Sequence, residues 1–167
     1  SKNRIWVGCY GGGLNLIEET QEGEIRFLHS GNKLTGYSKD RFAKVRYIAE
    51  ANQVLLVGTT EGLLTFSSEF TQPEQIEFYR NIRIPDKVSS LCSNDVIYIY
   101  TDSRKDTYVL SFTGGLNKIL SENLLSNEIE FKTYTTQNGL PSDLVESMIE
   151  DNKGNLWIIA ENALACF

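Results

Sequence analysis

The sequence predicts an all-β fold, a β-propeller fragment of about 3.5 four-stranded antiparallel blades. Three observations carry that expectation. First, Trp6-Val7-Gly8 is echoed by Leu56-Val57-Gly58, loosely by Tyr98-Ile99-Tyr100, and by Trp157-Ile158-Ile159, at spacings of 50, 42 and 59 positions. Second, Ile25-Arg26-Phe27, Ile76-Glu77-Phe78 and Ile129-Glu130-Phe131 stand 51 and then 53 positions apart. Third, Gly12-Gly13-Leu14-Asn15 returns as Gly114-Gly115-Leu116-Asn117 and, more faintly, as Glu61-Gly62-Leu63-Leu64. A shared period of about 50 residues is the mark of a blade, a unit that cannot bury its faces without neighbours. The uneven gaps of the first marker read as loops of variable length, with the excess placed in 102–107 and 121–127.

In chain order, 1–30 reads as a partial blade with strands b, c and d. Residues 43–81 and 87–135 read as complete blades, and 144–167 as a partial blade with strands a, b and c. The run Gly8-Cys9-Tyr10-Gly11-Gly12-Gly13 lies between two strands and fits neither G-x-G-x-x-G nor a P-loop, so it is a b–c hairpin turn. Val54-Leu55-Leu56-Val57 and Val96-Ile97-Tyr98-Ile99-Tyr100 are short runs of branched and aromatic residues bounded by turn formers. Ile76-Glu77-Phe78-Tyr79 and the segment from Ile129 to Tyr134 alternate apolar with polar residues, as a strand buried on one face does. Ser121 to Glu128 has room for one helical turn or an insertion loop. Asp151-Asn152-Lys153-Gly154-Asn155 is a tight turn whose glycine can take positive φ. Closed propellers run to about 4–8 blades, so the segment is expected to belong to a longer ring or to associate with a second copy. An open blade edge presents unpaired strand groups and favours such self-association.

Composition narrows the function classes. The chain is 41% hydrophobic and lacks any apolar run near the ~18–20 residues of a membrane span, so no membrane contact by this segment is expected. Its start, Ser-Lys-Asn-Arg, has no signal-peptide pattern. With Lys+Arg 16 against Asp+Glu 22, the net charge of −6 argues against nucleic acid, which needs a basic stripe. Cys9, Cys92 and Cys166 show no metal spacing and read as small buried hydrophobes.

No catalytic constellation stands out. His29 is the only histidine and has no nucleophile motif beside it. Asp151 and Asn155 resemble part of a calcium loop but lack its ligand run and distal Glu, so turn chemistry accounts for them. The carboxylate neighbours Glu18/Glu19 and Glu150/Asp151 point to opposite faces of a strand and cannot share a proton. Trp6 and Trp157 suit blade-to-blade packing. No cofactor and no metal are expected. What remains is a loop surface. The b–c loops are read as carrying Tyr10, Glu61, Asp102, Arg104, Lys105 and Glu161, and the d–a loops Tyr37, Lys39, Arg41, Asp86 and Asp143. Aromatic and charged side chains on loops held by a rigid scaffold suit recognition, and the ligand-face candidates are Tyr10, Tyr37, Arg41, Asp102, Arg104 and Lys105.

Thr136-Gln137-Asn138-Gly139-Leu140-Pro141-Ser142-Asp143, followed by the segment from Ile149 to Ile158, closely resembles the two-component-regulator propeller repeat. Trp6-Val7-Gly8 with Gly12-Gly13-Leu14-Asn15 resembles the second half of that repeat. The resemblance implies part of the periplasmic sensor region of a Bacteroides-type hybrid histidine kinase, an inner-membrane protein. It also implies a glycan or oligosaccharide ligand, the remaining blades of the parent as partners, and no catalysis in this segment. The alternative is a free-standing propeller acting as a carbohydrate-active enzyme or a protein-interaction platform.

Overall fold

The computed structural model describes residues 4–167. Its strands form four antiparallel meanders, each folded from consecutive strands. The first sheet is β1 (Arg4–Cys9), β2 (Gly13–Glu19) and β3 (Ile25–Leu28). The second is β4 (Val45–Ala51), β5 (Val54–Thr59), β6 (Gly62–Ser67) and β7 (Tyr79–Asn81). The third is β8 (Val96–Thr101), β9 (Thr107–Ser111), β10 (Gly115–Ile119) and β11 (Phe131–Tyr134). The fourth is β12 (Val145–Glu150), β13 (Leu156–Ala160) and β14 (Ala163–Cys166). First strands of successive sheets touch, β4 against β8 and β8 against β12, so the sheets fan out from an inner row of strands a. No helix among the described residues is long and apolar enough to cross a membrane.

Three cores lie between successive sheets. Leu14, Leu16 and Leu28 of the first sheet meet Leu55, Val57, Leu64 and Phe66 of the second. Leu56 and Leu63 on the opposite face meet Val109 and Phe131 of the third. Tyr108, Leu110 and Leu116 meet Met148, Leu156 and Ile158 of the fourth. A strand covered on both faces must be apolar throughout rather than alternating. Accordingly all six residues of β5 and all five of β9 are buried, whereas β13 alternates between buried and more open positions. Trp6 packs edge-on against Phe66, with ring centroids 5.0 Å apart, so it is a blade-to-blade contact.

The strand registers correct one repeat assignment. Trp6 pairs with Leu16, Leu56 with Thr65 and Trp157 with Cys166, each partner three residues after the first residue of strand c. In the third sheet that position belongs to Tyr108, which pairs with Lys118. Tyr98-Ile99-Tyr100 lies instead on β8, the inner strand. With Tyr108 in place the spacings become 50, 52 and 49, and the supposed excess in 102–107 vanishes because that segment is an ordinary a–b turn.

Ser121 to Glu128 forms no helix. Leu124 is buried there, and its carbonyl accepts a hydrogen bond from Thr65 Oγ1, which fastens the segment between the second and third sheets. The cysteines also depart from expectation. All three are free, Cys9 and Cys92 are half-buried, and Cys166 is exposed because β14 is the outer strand of its sheet.

Candidate functional site: the b–c and d–a loop face

In an antiparallel meander the a–b and c–d connections leave one end of the strands, and the b–c and d–a connections the other. The second set is knitted by main-chain hydrogen bonds. The Gly11 and Gly13 N–H groups donate to the Ala43 carbonyl, Thr60 N–H to Lys44, Gly115 N–H to Asp143, and Glu161 N–H to Leu144. Each d–a loop is thereby held against a b–c turn, which makes this face a fixed platform.

Tyr10 stands on that platform, 63% exposed and bridged to Lys44 through the backbone. The Lys44 ammonium and the Arg46 guanidinium each lie 5.4 Å from its ring centroid, within cation–π range. Arg46 is held by a two-pronged contact with Asp95, Nε to Oδ1 at 2.5 Å and Nη2 to Oδ2 at 2.9 Å. Arg80 donates through Nε and Nη2 to the Glu61 carbonyl at 3.1 and 2.9 Å. Burial pushes the Arg80 pKa down, the neighbouring charge of Arg41 adds to that, and Glu61 opposes it. Arg41 is exposed and, among the described residues, has no carboxylate within ion-pair distance. With Ser38, Asp40 and Glu61 it lines an open depression.

Two of the six sequence candidates lie on this face, Tyr10 on a b–c turn and Arg41 on a d–a loop. Tyr37 does not. It is 3% exposed, its hydroxyl donates to the Phe42 carbonyl, and its ring meets Phe78 at 5.5 Å. Burial pushes its phenol up to about 12, so Tyr37 pins the d–a loop from beneath. Asp102, Arg104 and Lys105 are corrected as well. They form the a–b turn between β8 and β9, at the opposite end of the strands, and the mistaken alignment of 98–100 had put them in a b–c loop. His29 serves its own turn, with Nδ1 accepting from the Gly31 N–H.

Sequence reasoning missed Lys44, Arg46, Arg80 and Asp95. A usable signal existed for the loop that carries Lys44. Asn32-Lys33-Leu34 repeats Asn138-Gly139-Leu140: each asparagine Oδ1 accepts the backbone N–H three residues upstream, from His29 or Thr135, and Leu34 and Leu140 are both buried.

The fold and this face define an arc of β-propeller blades presenting a stitched loop platform. Residues 139–162 match the family model for the two component regulator propeller, so the chain carries a repeat of that family. Over all of its length the chain resembles the extracellular domain of BT4673 from B. thetaiotaomicron, with TM-score 0.71, 21% identity and 22% of that chain covered. One structure assigns BT4673 to a hybrid two component system and another to a one component system. The extracellular domain of the hybrid two component system BT3049 from the same organism gives TM-score 0.60 at 18% identity, with 100% of this chain and 25% of that chain covered. PorZ, a surface component of the type-IX secretion system of Porphyromonas gingivalis, gives TM-score 0.68 at 15% identity, covering 98% of this chain and 24% of PorZ. At these identities the likeness is one of fold, and the chain spans about a quarter or less of those proteins. No curated protein matches the sequence.

Proposed function

We propose that this chain is part of the extracytoplasmic, ligand-sensing propeller of a hybrid two-component sensor, and that it contributes a loop face for a glycan or oligosaccharide without itself catalysing a reaction. The observation that carries the reading is the two-component-regulator repeat at 139–162, set in a chain whose whole length resembles extracellular domains of such systems. Ligand binding on a fixed platform can bias the packing of a propeller against the rest of its protein, and so shift a two-state equilibrium in a distant kinase. The remaining blades of the parent, or a second copy, would cover the apolar outer faces, where Ile5 and Phe27 on the first sheet and Leu164 on the fourth are exposed. The test is reporter output from the parent protein in cells offered single purified glycans, with the chain's rim altered as Tyr10→Ala. A glycan-dependent signal that this variant abolishes supports the reading; output indifferent to every glycan and to the variant sinks it.

The likeness to PorZ favours a second reading, in which the propeller is a structural part of a surface assembly. Stable co-purification of the parent with envelope proteins, with no transcriptional response to any glycan, would select it.

A further inference from the structure

The connections that build the b–c and d–a face are electrically balanced. The b–c turns 10–12, 60–61, 112–114 and 161–162 and the d–a loops 29–44, 82–95 and 135–144 hold six lysines and arginines against six aspartates and glutamates. An ionic ligand gains little from such a surface as a whole, so recognition falls to the groups that meet at particular points.

Two exposed aromatics occupy one repeat position. Cys9 pairs with Gly13 and Ser111 with Gly115 across their b–c turns, so the residues that follow, Tyr10 and Phe112, are equivalent. They are 63% and 52% exposed. Asp95 links them by contact. Its carbonyl accepts the Phe112 N–H at 2.8 Å, and its carboxylate holds Arg46, whose guanidinium lies 5.4 Å from the Tyr10 ring centroid.

A bulge brings Arg46 there. β4 and β8 each leave one residue out of the ladder at this end, Arg46 between Val45 and Tyr47 and Ile97 between Val96 and Tyr98. A bulge re-aims the side chain it leaves unpaired. Ile97 packs into the core shared with the fourth sheet, and Arg46 likewise reaches the next blade, where it meets Asp95. The two-pronged contact uses Nε and one Nη2 hydrogen of Arg46 and one bond on each Asp95 oxygen. A guanidinium has five N–H donors and a carboxylate about four lone-pair sites, so donors and acceptors remain side by side with their charges cancelled. Each hydroxyl of a sugar diol both donates and accepts, and a neighbouring pair of them suits such an edge with no ion to neutralise.

We infer that this face takes a neutral oligosaccharide, with vicinal hydroxyls on the Arg46–Asp95 pair and sugar faces on Tyr10 and Phe112. The inference rests on the saccharide-sensing reading above and specifies its ligand class. Titration calorimetry of this chain with the neutral trisaccharides mannotriose, trigalactose and arabinotriose, and with the acidic trigalacturonate, tests it. At least one neutral sugar is expected to bind, changing less than about twofold as NaCl rises from about 20 to about 200 mM, since an uncharged ligand has no attraction for salt to screen. Asp95→Asn and Arg46→Lys, which dismantle the two-pronged contact at nearly constant size, should each weaken it by more than about tenfold. Tyr10→Ala and Phe112→Ala should each cost about fivefold, and Tyr10→Phe nothing, because stacking needs the ring and not the hydroxyl. An ion pair that only ties two blades together would lower the denaturation midpoint of D95N and R46K and leave the affinity of the folded protein unchanged. That outcome, or trigalacturonate binding more tightly than every neutral sugar, overturns the neutral clamp and leaves the saccharide reading standing. Binding of none of the four overturns both.

Discussion

The a–b turns of the third and fourth blades follow one backbone path on different side chains. In each, the aspartate N–H donates to the carbonyl four residues on, Asp102 to Asp106 and Asp151 to Asn155, and a left-handed residue sits between them. In each, one carboxylate oxygen accepts two backbone N–H groups, those of Arg104 and Asp106 at 2.9 Å or of Lys153 and Asn155 at 2.8 and 3.0 Å. The second oxygen differs. Asp151 Oδ2 receives Asn155 Nδ2 and Trp157 Nε1, both at 2.9 Å. Asp102 Oδ2 receives Arg104 Nε and Nη2 at 3.3 and 3.2 Å, because the aromatic that follows is Tyr108, which has no ring N–H to offer. The turn thus requires one carboxylate oxygen on two main-chain donors and is indifferent to who serves the other. The two turns are also tied together, since Glu150 accepts from both Ser103 N–H and Ser103 Oγ.

The comparison makes Tyr108 and Trp157 equivalent in position and unequal in burial, Tyr108 being 1% exposed and Trp157 half-buried. Tyr108→Ala should therefore lower unfolding free energy by about 4 kcal/mol in denaturant titration, the usual cost of emptying a buried aromatic site. Trp157→Ala should cost visibly less; an equal or larger loss would break the equivalence.

Asp102→Ala comes next, at about 3 kcal/mol, because it strips the acceptor from two main-chain donors around a carboxylate with no exposed surface. Asp151→Ala should cost less, as water replaces the lost acceptor at a more open turn. The same denaturant series ranks the pair.

Acid separates the turns further. Hydrogen bonds from Trp157 and Asn155 hold the Asp151 carboxyl well below its ordinary 3.8. A depressed carboxylate contributes stability that is whole above its unfolded pKa and drains away as pH falls through the folded one. Thermal midpoints should accordingly decline as pH drops below about 4, and Asp151→Asn should flatten that decline. An unchanged slope in the variant would remove Asp151 from the account.

The smallest effect concerns Lys105, whose φ of 72° matches the 82° of Gly154. Left-handed backbone is strained for a lysine, and glycine relieves that strain while adding unfolded-state entropy. Lys105→Gly should stabilise by about 0.5 kcal/mol, read as a small rise in the denaturation midpoint.

The same pair shows how much of the molecule was legible. Asp151-Asn152-Lys153-Gly154-Asn155 announces a turn because its glycine and asparagine are turn formers; Asp102-Ser103-Arg104-Lys105-Asp106 makes the same turn with a lysine where glycine belongs. Two apolar aromatic runs, 98–100 and 108–110, flank that hidden turn on adjacent strands, and pattern alone gives no reason to prefer the second as the echo of Trp6. At the loop face Tyr10 and Arg41 were readable as loop residues. Tyr37 was not readable as buried, since its cover comes from Phe78, a segment of the next blade. Arg46 and Asp95 are 49 positions apart and meet only because successive inner strands lie side by side.

By itself the sequence determined the repeat, the strands and the glycine turns, because period, alternation and φ preference act over a few residues. Only the tertiary structure decided which end of the blades each loop occupies, which aromatic is buried and which arginines are left without a carboxylate. Those depend on contacts between blades about 50 residues apart, and a pattern within one blade does not contain them.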